Sequence, residues 1–206
     1  DLSDMNAVKS LVKDVSKNHQ SLDVLINNAG VLKTPNAVTS DGLDIRFVVN
    51  TIAPYFLTKE LLPLLTDKGR VVNLSSAAQS TVDLDALTGK REGLDAMDAY
   101  SQSKLAITMW SRHMAQLLEG KGPVIIAVNP ASLLGSKMVK EGFGVDGKDL
   151  SVGANILVRL ALDEEFSDAS GKYFDNDKGE FSNPHPDALN DNKCKQVVEA
   201  IEAILN

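Results

Sequence analysis

Three short apolar runs, Leu22–Ile26, Val71–Leu74 and Pro123–Val128, constrain this chain more than any other feature. Their apolar residues mostly follow one another instead of alternating with polar ones, as in strands covered on both faces of a parallel sheet. Parallel neighbours need crossovers of a dozen or more residues, and the intervening segments carry helical periodicity. Val8, Leu11, Val12 and Val15 recur at i, i+3, i+4 and i+7 behind Ser3 or Asp4, either of which suits a helix cap. Ser40–Leu65 reads as helical, with Pro54 kinking the helix or resetting its start. Ala99–Leu118 reads as a long helix that Gly120-Lys121-Gly122-Pro123 ends, and Val152–Leu162 and Gln196–Leu205 read as two more. The predicted fold is α/β, a doubly wound parallel sheet, in a single domain over residues 1–206.

Two stretches, Gln79–Met97 and Phe166–Pro186, lack sustained periodicity and read as loops, the second carrying Tyr173-Phe174 among Asp, Asn, Gly and Pro. Loops of that length in a compact domain are solvated excursions or functional elements.

Charge narrows the partners. With 28 acidic residues against 21 Lys and Arg, the net charge is −7, which argues against nucleic acid or an anionic membrane as the main partner. No apolar run approaches the roughly 18 residues of a membrane span, and the first residues lack the pattern of a secretory signal. A single cysteine, Cys194, forms no internal disulfide; the expected location is the cytoplasm. One Cys and three scattered His offer no metal-ligand spacing.

Chemistry concentrates at the predicted strand ends and one helix. Tyr100 and Lys104, four apart, share a helix face. An ammonium there stabilises a phenolate and lowers the tyrosine pKa toward working pH, as a tyrosine general acid/base requires. Alone, the pair is a weak pattern that far more often describes a half-buried tyrosine beside a snorkelling lysine. Ser75-Ser76 follows one strand end and Asn27-Asn28-Ala29-Gly30 another, where open parallel sheets bind ligands. Asn50 is polar within an apolar helical stretch, and Pro130-Ala131-Ser132 follows the third strand.

In this order Asn27-Asn28-Ala29-Gly30, Asn50, Ser76 and Tyr100 with Lys104 resemble the short-chain dehydrogenase/reductases, from Asp1 to about residue 140. The resemblance implies a Rossmann-like NAD(P)-binding domain and an oxidoreductase interconverting an alcohol and a carbonyl. Tyr100 would exchange the proton on the substrate oxygen. Lys104 would depress the tyrosine pKa and hold the nicotinamide ribose. Ser76, fourth in the Asn-Leu-Ser-Ser motif, would bond the reacting oxygen, and Asn50 would hold a proton-relay water. Asn27, Asn28, Ala29 and Gly30, with Asp1 and Leu2, would line the adenosine side of NAD or NADP, while Pro130 and Ser132 would pass the nicotinamide. Val31, Leu32, Leu133, Leu134, Met138 and Phe143 suggest a lipophilic small-molecule substrate. The family's habit of pairing subunits through what are here residues 40–66 and 98–119 implies a homodimer or tetramer.

Three departures carry expectations of their own. The 24-residue step from Ser76 to Tyr100 resembles the retinol-dehydrogenase-like branch. Ala131 replaces the usual glycine, so a glycine-only backbone conformation is not expected there. The family's glycine-rich phosphate turn is absent, and the chain reads as a longer enzyme's sequence without its N-terminal strands. The choice between NAD and NADP, made upstream in this family, is not visible. The alternative reading is a non-catalytic interaction module that retains the scaffold. A Ser76 hydrolase lacks both a nearby histidine and a Gly-x-Ser-x-Gly elbow.

Overall fold

The computed structural model describes residues 1–206. The first helix, α1 (Met5–Asn18), starts where the Asp4 carboxylate accepts the Asn6 N–H and presents Val8 to the interior. Strand β1 (Leu22–Asn27) follows. The next helical stretch begins at Ile45, not Ser40, because Asp44 caps it. It runs as α2 (Ile45–Phe47), a π turn (Val48–Ile52), α3 (Ala53–Leu61) and a 3₁₀ turn (Leu62–Leu64). Pro54 neither breaks nor restarts it. Lacking an N–H for the carbonyl four residues back, that of Asn50, the proline is absorbed by a widened turn closed by Ala53 N–H on Val48 O.

Strand β2 (Leu65–Leu74) leads through the short α4 (Leu84–Leu87) to α5 (Ala96–Leu118), capped by Asp95 and ended by Glu119 in the left-handed region. Then come β3 (Val124–Asn129), α6 (Lys137–Phe143) and α7 (Leu150–Leu162). The segment Phe166–Pro186, expected to be a loop, contains β4 (Tyr173–Asp175) and β5 (Glu180–Phe181). Helix α8 (Asp191–Leu205) closes the chain.

The sheet order is β1-β2-β3-β4-β5. The first four strands are parallel, and β5 hairpins back on β4. Neighbouring residues of one strand enter opposite cores: Val71 and Ile125 join Phe47, Leu105 and Trp110, whereas Val72, Ile126 and Val128 join Ile156, Leu160 and Phe174. Both sets are fully buried, which explains the apolar runs.

Helix α8 lies on α5, with Cys194, Val197 and Ile201 in the same core as Tyr55, Trp110 and Met114. Glu202 accepts from the Tyr55 hydroxyl at 2.5 Å and pairs with Lys59 at 2.7 Å. The α3–α5 surface through which the resemblance pairs subunits is thus covered here by the chain's own C-terminal helix. No helix is long and apolar enough to cross a membrane.

Candidate active site

Because β1 to β4 are parallel, their C-terminal ends share one edge, and the polypeptide leaving β1, β2 and β3 helps to wall a cavity of about 1100 Å³. Asp1-Leu2 and Asn28-Ala29-Gly30 line it, as do Ser76, Tyr100, Lys104, Pro130 and Ser132. Apolar side chains also line it, among them Leu32, Val49, Leu134, Met138, Val139 and Phe143.

The two serines after β2 diverge. Ser75 is buried, its hydroxyl donating to Lys104 O at 2.8 Å and lying 2.7 Å from the Thr108 hydroxyl. Ser76 lines the cavity together with Tyr100, and its Oγ accepts Ala78 N–H at 3.1 Å. Lys104, 4% exposed, donates from Nζ to Leu74 O at 2.7 Å and stands 5.6 Å from the Tyr100 ring centroid. A Cβ placed on Gly30 would lie 3.4 Å from both Lys104 Nζ and Asn50 Oδ1, so the bare glycine lets the β1 end approach these two side chains closely.

Asn50 is fully buried and outside the cavity lining. Its Oδ1 accepts Val31 N–H at 2.8 Å; its Nδ2 donates to Val31 O at 3.0 Å and to Ser103 Oγ at 2.9 Å. Ser103 Oγ in turn donates to Tyr100 O at 2.7 Å. The side chain expected to hold a water instead ties the loop after β1 to α5.

Over residues 1–143 the sequence matches the family model described as short chain dehydrogenase. The chain belongs to the short chain dehydrogenase family. It is 30% identical to retinol dehydrogenase 13 of Homo sapiens, over 96% of this chain and 64% of that protein. It is 34% identical to retinol dehydrogenase 12 of Mus musculus, over 84% of this chain and 58% of that protein. The chain therefore spans about 60% of the length of these relatives. An uncharacterized protein from Mycobacterium paratuberculosis superposes with a TM-score of 0.78 at 25% identity, over 99% of this chain and 73% of its own. A short chain dehydrogenase from Escherichia coli CFT073 complexed with NADPH shares the fold, with a TM-score of 0.64 at 23% identity over 85% of this chain and 72% of its own.

Within this short chain dehydrogenase, four expectations change. Asn27 does not line the cavity; its Nδ2 donates to Asn73 Oδ1 at 2.7 Å and Thr58 Oγ1 at 3.1 Å, a buried network that Ser111 completes by accepting from Asn73 at 2.8 Å. Ser132 lines the cavity, but its hydroxyl and N–H both donate to Asp177. Burial opposes ionisation of that carboxylate, yet hydrogen bonds from Ser132, Asn129 and Lys148 hold it well below the usual range. Ala131 adopts φ 143° despite its methyl, so the backbone keeps a glycine-like path where alanine argued against one. Finally, burial pushes the Tyr100 phenol up, and it is the Ser76 hydrogen bond that pulls it down. Burial also pushes the Lys104 ammonium down, to about 8.

Sequence reading missed the flap that carries α6. Gly135 N–H donates to Lys148 O and Lys148 N–H to Leu133 O, both at 2.7 Å, clasping residues 133–148 at the base. A Cβ on Gly147 (φ 77°) would meet Gly135 Cα at 2.7 Å, so two glycines let the strands of the clasp cross. Glycines 12 residues apart carry no sequence signal of that crossing.

Proposed function

We propose that the protein interconverts an alcohol and a carbonyl on a lipophilic small molecule, with NAD or NADP and with Tyr100 as the general acid/base. The observation that carries this reading is that Ser76, Tyr100 and Lys104 line one cavity together with a largely apolar set of side chains. The residues fit a dinucleotide: Gly30 leaves open the space beside Lys104 that a Cβ would fill, and Lys104 Nζ uses one of its three donors on Leu74. When bound, the nicotinamide supplies or accepts the hydride. Lys104 would hold the ribose hydroxyls, while Asp1, Leu2 and Asn28-Ala29-Gly30 would line the adenosine side.

Ser76 Oγ binds the reacting oxygen and keeps it within reach of the Tyr100 hydroxyl. Tyr100 then donates its proton to that oxygen in reduction and removes it in oxidation. As a cofactor charge and substrate oxygen approach, the protonated Lys104 ammonium beneath the ring favours the phenolate over the phenol. Met138, Val139 and Phe143 on the flap exclude water and favour an apolar chain, consistent with relatives named as retinol dehydrogenases.

Steady-state reduction of long-chain aldehydes and retinal, with NADH and NADPH in parallel, tests the reading. Turnover is expected in the parent, with a loss of about 10² or more in kcat for Tyr100→Phe at nearly unchanged cofactor affinity. Parent turnover in Tyr100→Phe removes that residue from the mechanism. Absence of both cofactor binding and turnover favours the interaction-module reading, in which the scaffold is kept without a cofactor.

A further inference from the structure

The acid/base chemistry needs the Ser76 hydroxyl aimed at one point, yet Ser76 lies beyond the last residue pair of the β2–β3 ladder, Leu74 with Val128. Its main chain is held instead by side chains. The Tyr173 hydroxyl donates to Ser76 O at 3.0 Å from 97 residues away, and Gln79 Nε2 donates to the same oxygen at 2.9 Å. Gln79 is itself fixed, its Oε1 accepting His185 N–H at 3.0 Å.

Tyr173 is a firm anchor. It pairs with Ala127 in the sheet, is 6% exposed, and is followed by Phe174, whose ring meets Phe166 and Phe181 edge-on at 5.7 and 5.2 Å. The loop bearing Ser76 is thereby bonded to a strand of the core and not to solvent.

We propose that Tyr173 is a positioning residue: its hydroxyl fixes the Ser76 carbonyl so that Ser76 Oγ stays aimed at Tyr100 and the reacting oxygen. The inference rests on the roles given above to Ser76 and Tyr100. Burial, with Asp175 and Asp177 nearby, pushes the Tyr173 phenol far above its ordinary range, so it stays a neutral donor at working pH. On its other side the ring shares a cavity of about 350 Å³ with Arg112 and Lys172. Tyr100 is faced by Ser76 and, across its ring, by Lys104. A change in the enzyme's pH profile on removing the Tyr173 hydroxyl therefore reports on the Ser76–Tyr100 contact.

Tyr173→Phe keeps the ring, the packing and the strand pairing. In reduction of a long-chain aldehyde, kcat is expected to fall about tenfold, the effect of one lost hydrogen bond, with cofactor KM unchanged. Weakening of the Ser76 contact lets the Tyr100 pKa rise, so the limb of the profile that reports it moves to higher pH. In a Ser76→Ala background the same substitution should add nothing. Gln79→Leu, which removes the second donor, should shift the profile in the same direction even where Tyr173→Phe folds poorly. Parent kcat and an unmoved profile in Tyr173→Phe, or losses that multiply with Ser76→Ala, overturn the inference while leaving the site reading intact. A Ser76→Ala variant with parent turnover overturns the site reading, and the positioning role falls with it.

Discussion

Replacing Lys104 by methionine is expected to stabilise the ligand-free protein near neutral pH while abolishing turnover. The ammonium is 4% exposed, and its one hydrogen bond, to Leu74 O, does not offset its desolvation. Burial lowers its pKa from 10.5 to about 8. The unfolded chain therefore binds more protons between those two values, so stability rises with pH across that window and the full penalty is present below it. The drop corresponds to roughly 3 kcal/mol. Methionine retains the stem and forfeits the Leu74 bond, a loss of about 1 kcal/mol, leaving a net gain of about 2 kcal/mol. For a chain of this size that raises Tm by about 4–8 °C. Thermal melts of parent and variant at a series of pH values cancel every other titration. The gap should be largest at and below about pH 7, and it should close and change sign as pH approaches 10.5. A gap that does not vary with pH, or a variant less stable at pH 7, would refute the reasoning that burial dominates at Lys104.

Further expectations follow from the site's supports. Gly147→Ala should lower activity without unfolding the sheet, since a methyl there meets the Gly135 backbone at 2.7 Å at a left-handed φ; a KM for lipophilic substrate unchanged from the parent would remove the flap from substrate binding. Asn50→Ala leaves the Val31 N–H and C=O without their side-chain partner and should destabilise the fold by about 2–4 kcal/mol, read by urea denaturation. Ala131→Gly relieves a backbone at φ 143°. Relief of about 1–3 kcal/mol outweighs the greater freedom of glycine in the unfolded chain, and a melt at lower temperature than the parent's would show that the conformation is not strained.

The parallel core was legible because double-sided burial writes itself as consecutive apolar residues in β2 and β3; β1, apolar in sequence, is an edge strand in this chain with Ile26 exposed. Tyr100 and Lys104 were legible because a helix fixes their spacing. Strand β4 was not, since only three of its residues pair and their burial comes from Ala127 on one side and Phe181 on the other, partners that periodicity within the segment does not show. The π turn likewise needs the Pro54 position and the packed helix together. The Tyr100 pKa was misjudged because spacing reveals a neighbouring charge but not the desolvation of both groups. Asn27 read as a cofactor contact and Asn50 as the holder of a relay water for a related reason: a polar residue near a cavity can face it or bridge elements, and only distances to Asn73, Thr58 and Val31 show the bridging.

The helix that covers α3 and α5 also carries the chain's one thiol. Cys194 is fully buried, and burial pushes its pKa up to about 11, so as long as α8 stays docked the sulfur is both shielded and protonated. An alkylating reagent thus has a single target in the molecule, reachable only while α8 has lifted away. Labelling kinetics become a clock for that opening alone, and they can be compared with the clock of turnover to learn whether the far face of the sheet breathes as the flap does.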